Sequence, residues 1–79
     1  MKKQILELLT AKYAEAYGGA ITDSTPLLSS GLVDSVGALD LVDALEQMFG
    51  FEFEPHEVEE KNLDSAERIA AFVQMKIGG

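Results

Sequence analysis

Ser35 lies in the stretch GLVDSVGALDLVDALEQMFG, between Asp34 and an apolar run that carries Asp40, Asp43 and Glu46. A serine hydroxyl that acts as a nucleophile within its own chain needs a base in hydrogen-bond reach and donors for the developing oxyanion. The one histidine, His56, follows Pro55 among acids at the start of a short predicted helix. The elbow that places a hydrolase serine between glycines is also missing, since the local sequence is VDSVG. Hydrolysis is therefore disfavoured. Asp34 and Glu46 have the first-to-twelfth spacing of a calcium loop, yet Val36 and Ala38 stand where the next ligands belong and Leu39 where glycine is required. No metal site is expected. With no cysteine the chain has no disulfide, no thiolate ligand and no thiol nucleophile, so any sulfur chemistry must be brought in.

The elements that must position these residues are helical. Ile5, Leu6, Leu9, Tyr13 and Tyr17 recur at spacings of three and four, which predicts an amphipathic helix ending at Gly18 and Gly19. GGAITDSTPLLSSG, from Gly18 to Gly31, is a loop by its glycine, serine, threonine and proline content. Ile21, Leu27 and Leu28 within it imply a connection packed over the core. Asp34 or Ser35 caps a second helix that stops at Gly50. Leu39, Val42, Leu45 and Phe49 form its apolar face, widened by Leu41 and Met48, with Asp40, Asp43 and Gln47 opposite. FEFEPHEVEEKN predicts an extended lead-in and, from Pro55, a short helix of one or two turns. Asp64 with Glu67 reads as a capping box for a last helix, striped by Ala66, Ile69, Ala70, Val73 and Ile77. Phe49, Phe51, Phe53 and Phe72 are core aromatics. The fold class is all-α: a four-helix bundle with a long loop between helices one and two and a short third helix.

At 79 residues the chain is read as a single domain, 1–79, because so short a sequence cannot supply two cores. An apolar share of 47% argues for a folded chain despite a net charge of -8. That charge repels nucleic acid and anionic membranes and steers basic protein patches toward the surface. Asp40, Asp43 and Glu46, at successive spacings of three, form a line along one face, and no lysine or arginine occurs from Tyr13 through Glu60. Val36 falls between Asp40 and Asp43 on the wheel, outside the apolar arc, as an anchor for a partner would. Gln4, Glu7 and Lys12 interrupt the first helix too often for a signal peptide, and no apolar run approaches the ~18 residues of a membrane span. A cytoplasmic monomer is expected. The terminal Gly78-Gly79 invites comparison with ubiquitin-like modifiers, but only FEFE has the strand period such a fold needs.

SGLVDSVGALDLVDALEQMFG resembles the modification site of the acyl carrier and peptidyl carrier proteins, in which Gly-Leu-x-Asp-Ser precedes an acidic helix. Gly31, Leu32, Asp34 and Ser35 match that motif, Leu41, Val42, Ala44, Leu45, Glu46, Phe49 and Gly50 resemble the family's second helix, and NLDSAERIAAFV its last. The resemblance implies a protein without catalysis of its own. A phosphopantetheinyl transferase, with magnesium, would attach 4′-phosphopantetheine from coenzyme A to Ser35, and Asp34 would assist recognition. Val36, Asp40, Asp43 and Glu46 would meet the basic docking patches of acyl-activating, acyl-transferring or condensing enzymes. Leu45, Val58 and Ile69 are candidate liners for an apolar cargo and equally good core residues. Val36 stands where many fatty-acid carriers have leucine or methionine, and SGLVDS looks closer to carriers of specialised pathways and to the alanyl carriers of cell-wall modification. The alternative is an unmodified acidic helical adaptor.

Overall fold

Two glycines in the left-handed region close the first two helices: Gly18, at φ 82°, donates its amide to the Ala14 carbonyl, and Gly50, at φ 70°, donates to that of Glu46. The computed structural model describes residues 1–78, so the diglycine end is only half covered and Gly79 lies outside the described residues. In chain order the elements are α1 (Lys2–Tyr17), α2 (Ser35–Phe49), a 3₁₀ turn (Pro55–Glu57), α3 (Glu60–Leu63) and α4 (Ala66–Gly78). The all-α architecture, the long α1–α2 connection and the short third helix match expectation.

One apolar cluster draws on every α-helix, with Ile5 and Leu9 from α1, Leu41 and Leu45 from α2, Leu63 from α3, and Ile69 and Val73 from α4. The connection contributes too, through buried Ile21, Leu27 and Val33, which is why it carries apolar residues. Burying a leucine or isoleucine side chain contributes roughly 1.5–3 kcal/mol. Most helical stability in a protein comes from such packing of an apolar face rather than from propensity.

The inward face of α2 differs from the wheel. Its buried residues are Ala38, Leu41, Val42 and Leu45, whereas Leu39 is 63% exposed and Met48 and Phe49 sit at the margins. Ala38, small enough for close approach, completes an i, i+3, i+4, i+7 stripe that excludes Leu39. On α4 the buried set is Ala66, Ile69, Phe72 and Val73, and Ile77 is exposed. Tyr17, at the end of α1, is exposed as well. Phe72 turns inward because Phe53 stacks on it at 5.0 Å between centroids, with Phe51 tilted against Phe53 at 5.1 Å.

Pro55 is the first residue of the 3₁₀ turn, as its missing amide favours, but the expected short helix is split into that turn and the four residues of α3. The capping box at Asp64 does not form. Ser65 caps α4 instead, its Oγ accepting the Arg68 amide at 3.2 Å, while the Asp64 carboxylate turns to the α1–α2 connection. Leu45 and Ile69 are completely buried and Val58 half-buried, so the first two serve the core.

Candidate functional site

The start of α2 is built around Asp34. Its extended backbone (φ -85°, ψ -176°) turns the chain into the helix, Oδ1 accepts the Gly37 amide at 2.7 Å, and its carbonyl accepts the Ala38 amide at 2.8 Å. The first of these bonds satisfies one of the four amides that a helix N-terminus leaves open, and the second is the first bond of the helical ladder. The amides of Ser35 and Val36 have no protein acceptor among the described residues. Ser35 is exposed, and its hydroxyl makes no hydrogen bond to the described residues. The cap is thus Asp34, and Ser35 presents an unengaged hydroxyl at the positive end of a fifteen-residue helix. Gly37 fits closely over the cap, since a Cβ there would lie 3.2 Å from Asp34 Oδ1 and 3.4 Å from Val33 Cγ1.

Among the described residues no basic side chain is hydrogen-bonded to Ser35. His56 lines a shallow depression with Glu57, Glu59, Lys61, Asn62, Phe72 and Met75, a set without any residue of the first turn of α2. The residues that do approach come from α1. Lys12 lies 3.8 Å from Asp40, partly offsetting a face that α2 itself leaves without counter-charge. Burial first, then the negative charges of Asp40 and Asp34, push the Tyr13 phenol above its ordinary value.

The expected docking residues divide. Val36 is 75% exposed, and Asp40 and Asp43 are exposed beside it, the latter accepting from Gln47 Nε2 at 3.0 Å. Leu39, assigned to the core by the wheel, joins Val36 on the exposed side. Glu46 is different: half-buried, it accepts the Phe53 amide at 2.7 Å, so this acid is committed to holding the chain after α2. Near the 3₁₀ turn, Glu54, His56 and Glu57 bring one ligand atom each to within 4.8 Å of one another. The Glu57 carboxylate, however, is already engaged by Lys76 Nζ at 3.0 and 3.2 Å and by the Glu54 amide at 2.8 Å.

The residues from Gln4 to Val73 match the family described as "Phosphopantetheine attachment site", and the chain belongs to that family. It is a carrier protein, and the family's prosthetic group is a covalently attached 4′-phosphopantetheine. Among its relatives is the D-alanyl carrier protein of Abiotrophia defectiva, 30% identical over 77 residues that make up 98% of this chain and 96% of that protein. The start of α2 is chemically compatible with such a group: Ser35 has an exposed hydroxyl, and two unpaired amides at a helix N-terminus favour a phosphodiester, against the like charge of Asp34. A carrier deals with transferases and biosynthetic enzymes, and no helix among the described residues is long and apolar enough to cross a membrane.

Proposed function

We propose that Ser35 carries the 4′-phosphopantetheine arm and that the protein, a single carrier domain without catalysis of its own, holds its cargo on that arm as a thioester. The observation that carries this reading is the Ser35 hydroxyl, exposed and unengaged behind the Asp34 cap with two open amides at its back. In loading, Ser35 Oγ forms a bond to the phosphorus of coenzyme A that bears the pantetheine. The pyrophosphate bond breaks, adenosine 3′,5′-bisphosphate leaves, and the serine proton passes to a base of the transferase. The arm supplies the thiol that this cysteine-free chain lacks. Asp34 contributes recognition or magnesium placement during transfer, in addition to its cap. Val36, Asp40 and Asp43 form the surface that basic patches of the transferase and of cargo-handling enzymes meet, with Leu39 beside them. Loading requires coenzyme A, which makes the cytoplasm the compartment of this reading.

The near full-length match to a D-alanyl carrier protein favours an amino acid over a long acyl chain as the cargo. Complete burial of Leu45 and Ile69 supports the same choice, since neither lines an open depression. Incubation with coenzyme A, magnesium and a broad-specificity transferase adds one phosphopantetheine by intact mass, and Ser35→Ala prevents it while keeping the helical spectrum. An unchanged wild-type mass would leave the acidic adaptor as the better description. The mass of the protein isolated from its native cell identifies the cargo, and a long-chain acyl adduct there would refute the amino-acid choice.

A further inference from the structure

Asp64, just beyond α3, sends its carboxylate across 35 to 37 residues of sequence into the connection that leads to Ser35. Oδ1 accepts the amides of Leu27, Leu28 and Ser29 at 3.1, 2.8 and 2.8 Å, and Oδ2 accepts the Ser29 hydroxyl at 2.8 Å. The Asp64 carbonyl takes the Leu27 amide as well, at 2.7 Å. Three successive amides converging on one oxygen make an anion-holding turn, and the protein fills it with its own carboxylate. The other hydrogen bonds of this segment are internal. Ser30 Oγ donates to the Pro26 carbonyl, the Gly31 amide donates to Leu28, and the Val33 amide donates to Leu27 at 2.9 Å. Among the described residues, Asp64 is therefore the polar tether of the segment from Pro26 to Val33.

The tether reaches the site with little slack. The Leu27 amide is held by Asp64, the Leu27 carbonyl holds Val33, and Val33 is followed at once by the Asp34 cap and Ser35. Leu27 and Val33 are both buried, and Gly37 in the first turn of α2 lies close against Val33 and Asp34. We infer that Asp64 is a positioning residue for the loading of Ser35, fixing through the Leu27–Val33 turn where the hydroxyl stands relative to the docking face of α2. This inference rests on Ser35 being the attachment point.

Steady-state loading with coenzyme A, magnesium and a phosphopantetheinyl transferase tests it in wild type, Asp64→Ala, Asp64→Asn and Ser29→Ala. Because the exposed face of α2 is untouched, Asp64→Ala lowers kcat by at least about tenfold with KM within about twofold, the signature of a misplaced nucleophile. A merely destabilising change would instead raise KM in proportion to the unfolded fraction and leave kcat alone. Asp64→Asn, whose Oδ1 can still accept the three amides, recovers kcat to within about threefold of wild type, and Ser29→Ala lowers it by about two- to threefold. Wild-type kcat in Asp64→Ala, or an Asn variant no better than the Ala variant, overturns the inference. If Asp64→Ala does not fold, wild-type kcat in Ser29→Ala overturns it equally. Failure of the wild type to load at all would refute the attachment reading instead.

Discussion

Glu46 and Phe53 are joined across the end of α2, with Glu46 Oε2 accepting the Phe53 amide at 2.7 Å. The bond anchors the segment that lays Phe53 on Phe72. Glu46→Ala leaves a partly buried amide without its charged acceptor and should cost about 1–2 kcal/mol. Loading at Ser35 should be nearly unchanged, since the lost charge lies three turns from the serine. Urea midpoints compared with loading rates check both halves. A variant that loads poorly yet unfolds like wild type would make Glu46 a docking acid after all.

Asp34 has two roles that can be separated. Asp34→Ala removes the acceptor for the Gly37 amide and should destabilise by about 1 kcal/mol. Asp34→Asn keeps a good cap but removes the charge beside Ser35, so it should melt close to wild type and still load more slowly. Equal loading of the Asn variant and wild type would reduce Asp34 to its cap.

Acid should weaken the fold through two carboxylates. Burial works against ionisation of Asp64, but the Ser29 amide and hydroxyl and the amides of Leu28 and Leu27 outweigh it and hold the carboxyl below its usual value. For Glu57 the Glu54 amide is the main cause, and Lys76 adds to it against the opposing effect of burial. A carboxyl with a lowered folded pKa contributes stability that is present above its unfolded value, about 4, and is lost as pH falls through the folded value. Protonation of the other acids relieves repulsion over the same range, so the clean measurement is a difference. The stability advantage of wild type over Asp64→Asn should be full at pH 6 and shrink below pH 4. An advantage that does not change with pH would mean that the Asp64 charge is immaterial.

A net charge of -8 should make stability depend on salt. Raising ionic strength should raise the melting temperature by several degrees, because a one kcal/mol gain moves a domain of this size by about 4–8 °C. Asp43→Lys, on the exposed side of α2, should be neutral or stabilising while slowing association with the transferase and flattening its salt dependence. Thermal melts and loading rates across ionic strength decide it. Wild-type loading by this variant at low salt would return the acids to a solvating role.

Leu39 and Leu45 should respond oppositely to truncation. Leu39→Ser should change stability by no more than about 0.5 kcal/mol, whereas Leu45→Ala, emptying a fully buried site, should cost about 2–5 kcal/mol. Chemical denaturation of both variants checks the orientation of α2, and a costly Leu39→Ser would rotate the helix back toward the arc read from its sequence.

Local rules made much of this molecule legible. Gly18, Asp34 and Gly50 mark helix ends because caps depend on residues within one turn. The inward arc of α2 was harder. It is apolar over most of its girth, and tertiary packing rather than local pattern buries Ala38 and leaves Leu39 exposed. Phe72 was legible as core, but its place over Ile77 depends on Phe53, nineteen residues earlier. Asp64 was misassigned for the same reason: a capping box is a local pattern, while its true partners are 35 to 37 residues away. Glu46 shows a milder version, reaching seven residues forward to the Phe53 amide.

The tether from Asp64 to the Leu27 turn also imposes an order in time. Ser35 leaves the ribosome well before Asp64, and α4, which contributes Ile69 and Val73 to the apolar cluster, follows later still. A nascent chain long enough to expose the serine but ending before Asp64 has the hydroxyl without the anchor. With Ser35 as the proposed attachment point and Asp64 as its positioning residue, loading is expected to wait on completion of the fold. Ribosome-bound chains stalled with Asp64 still inside the exit tunnel should take up phosphopantetheine at least about tenfold more slowly than those released to full length.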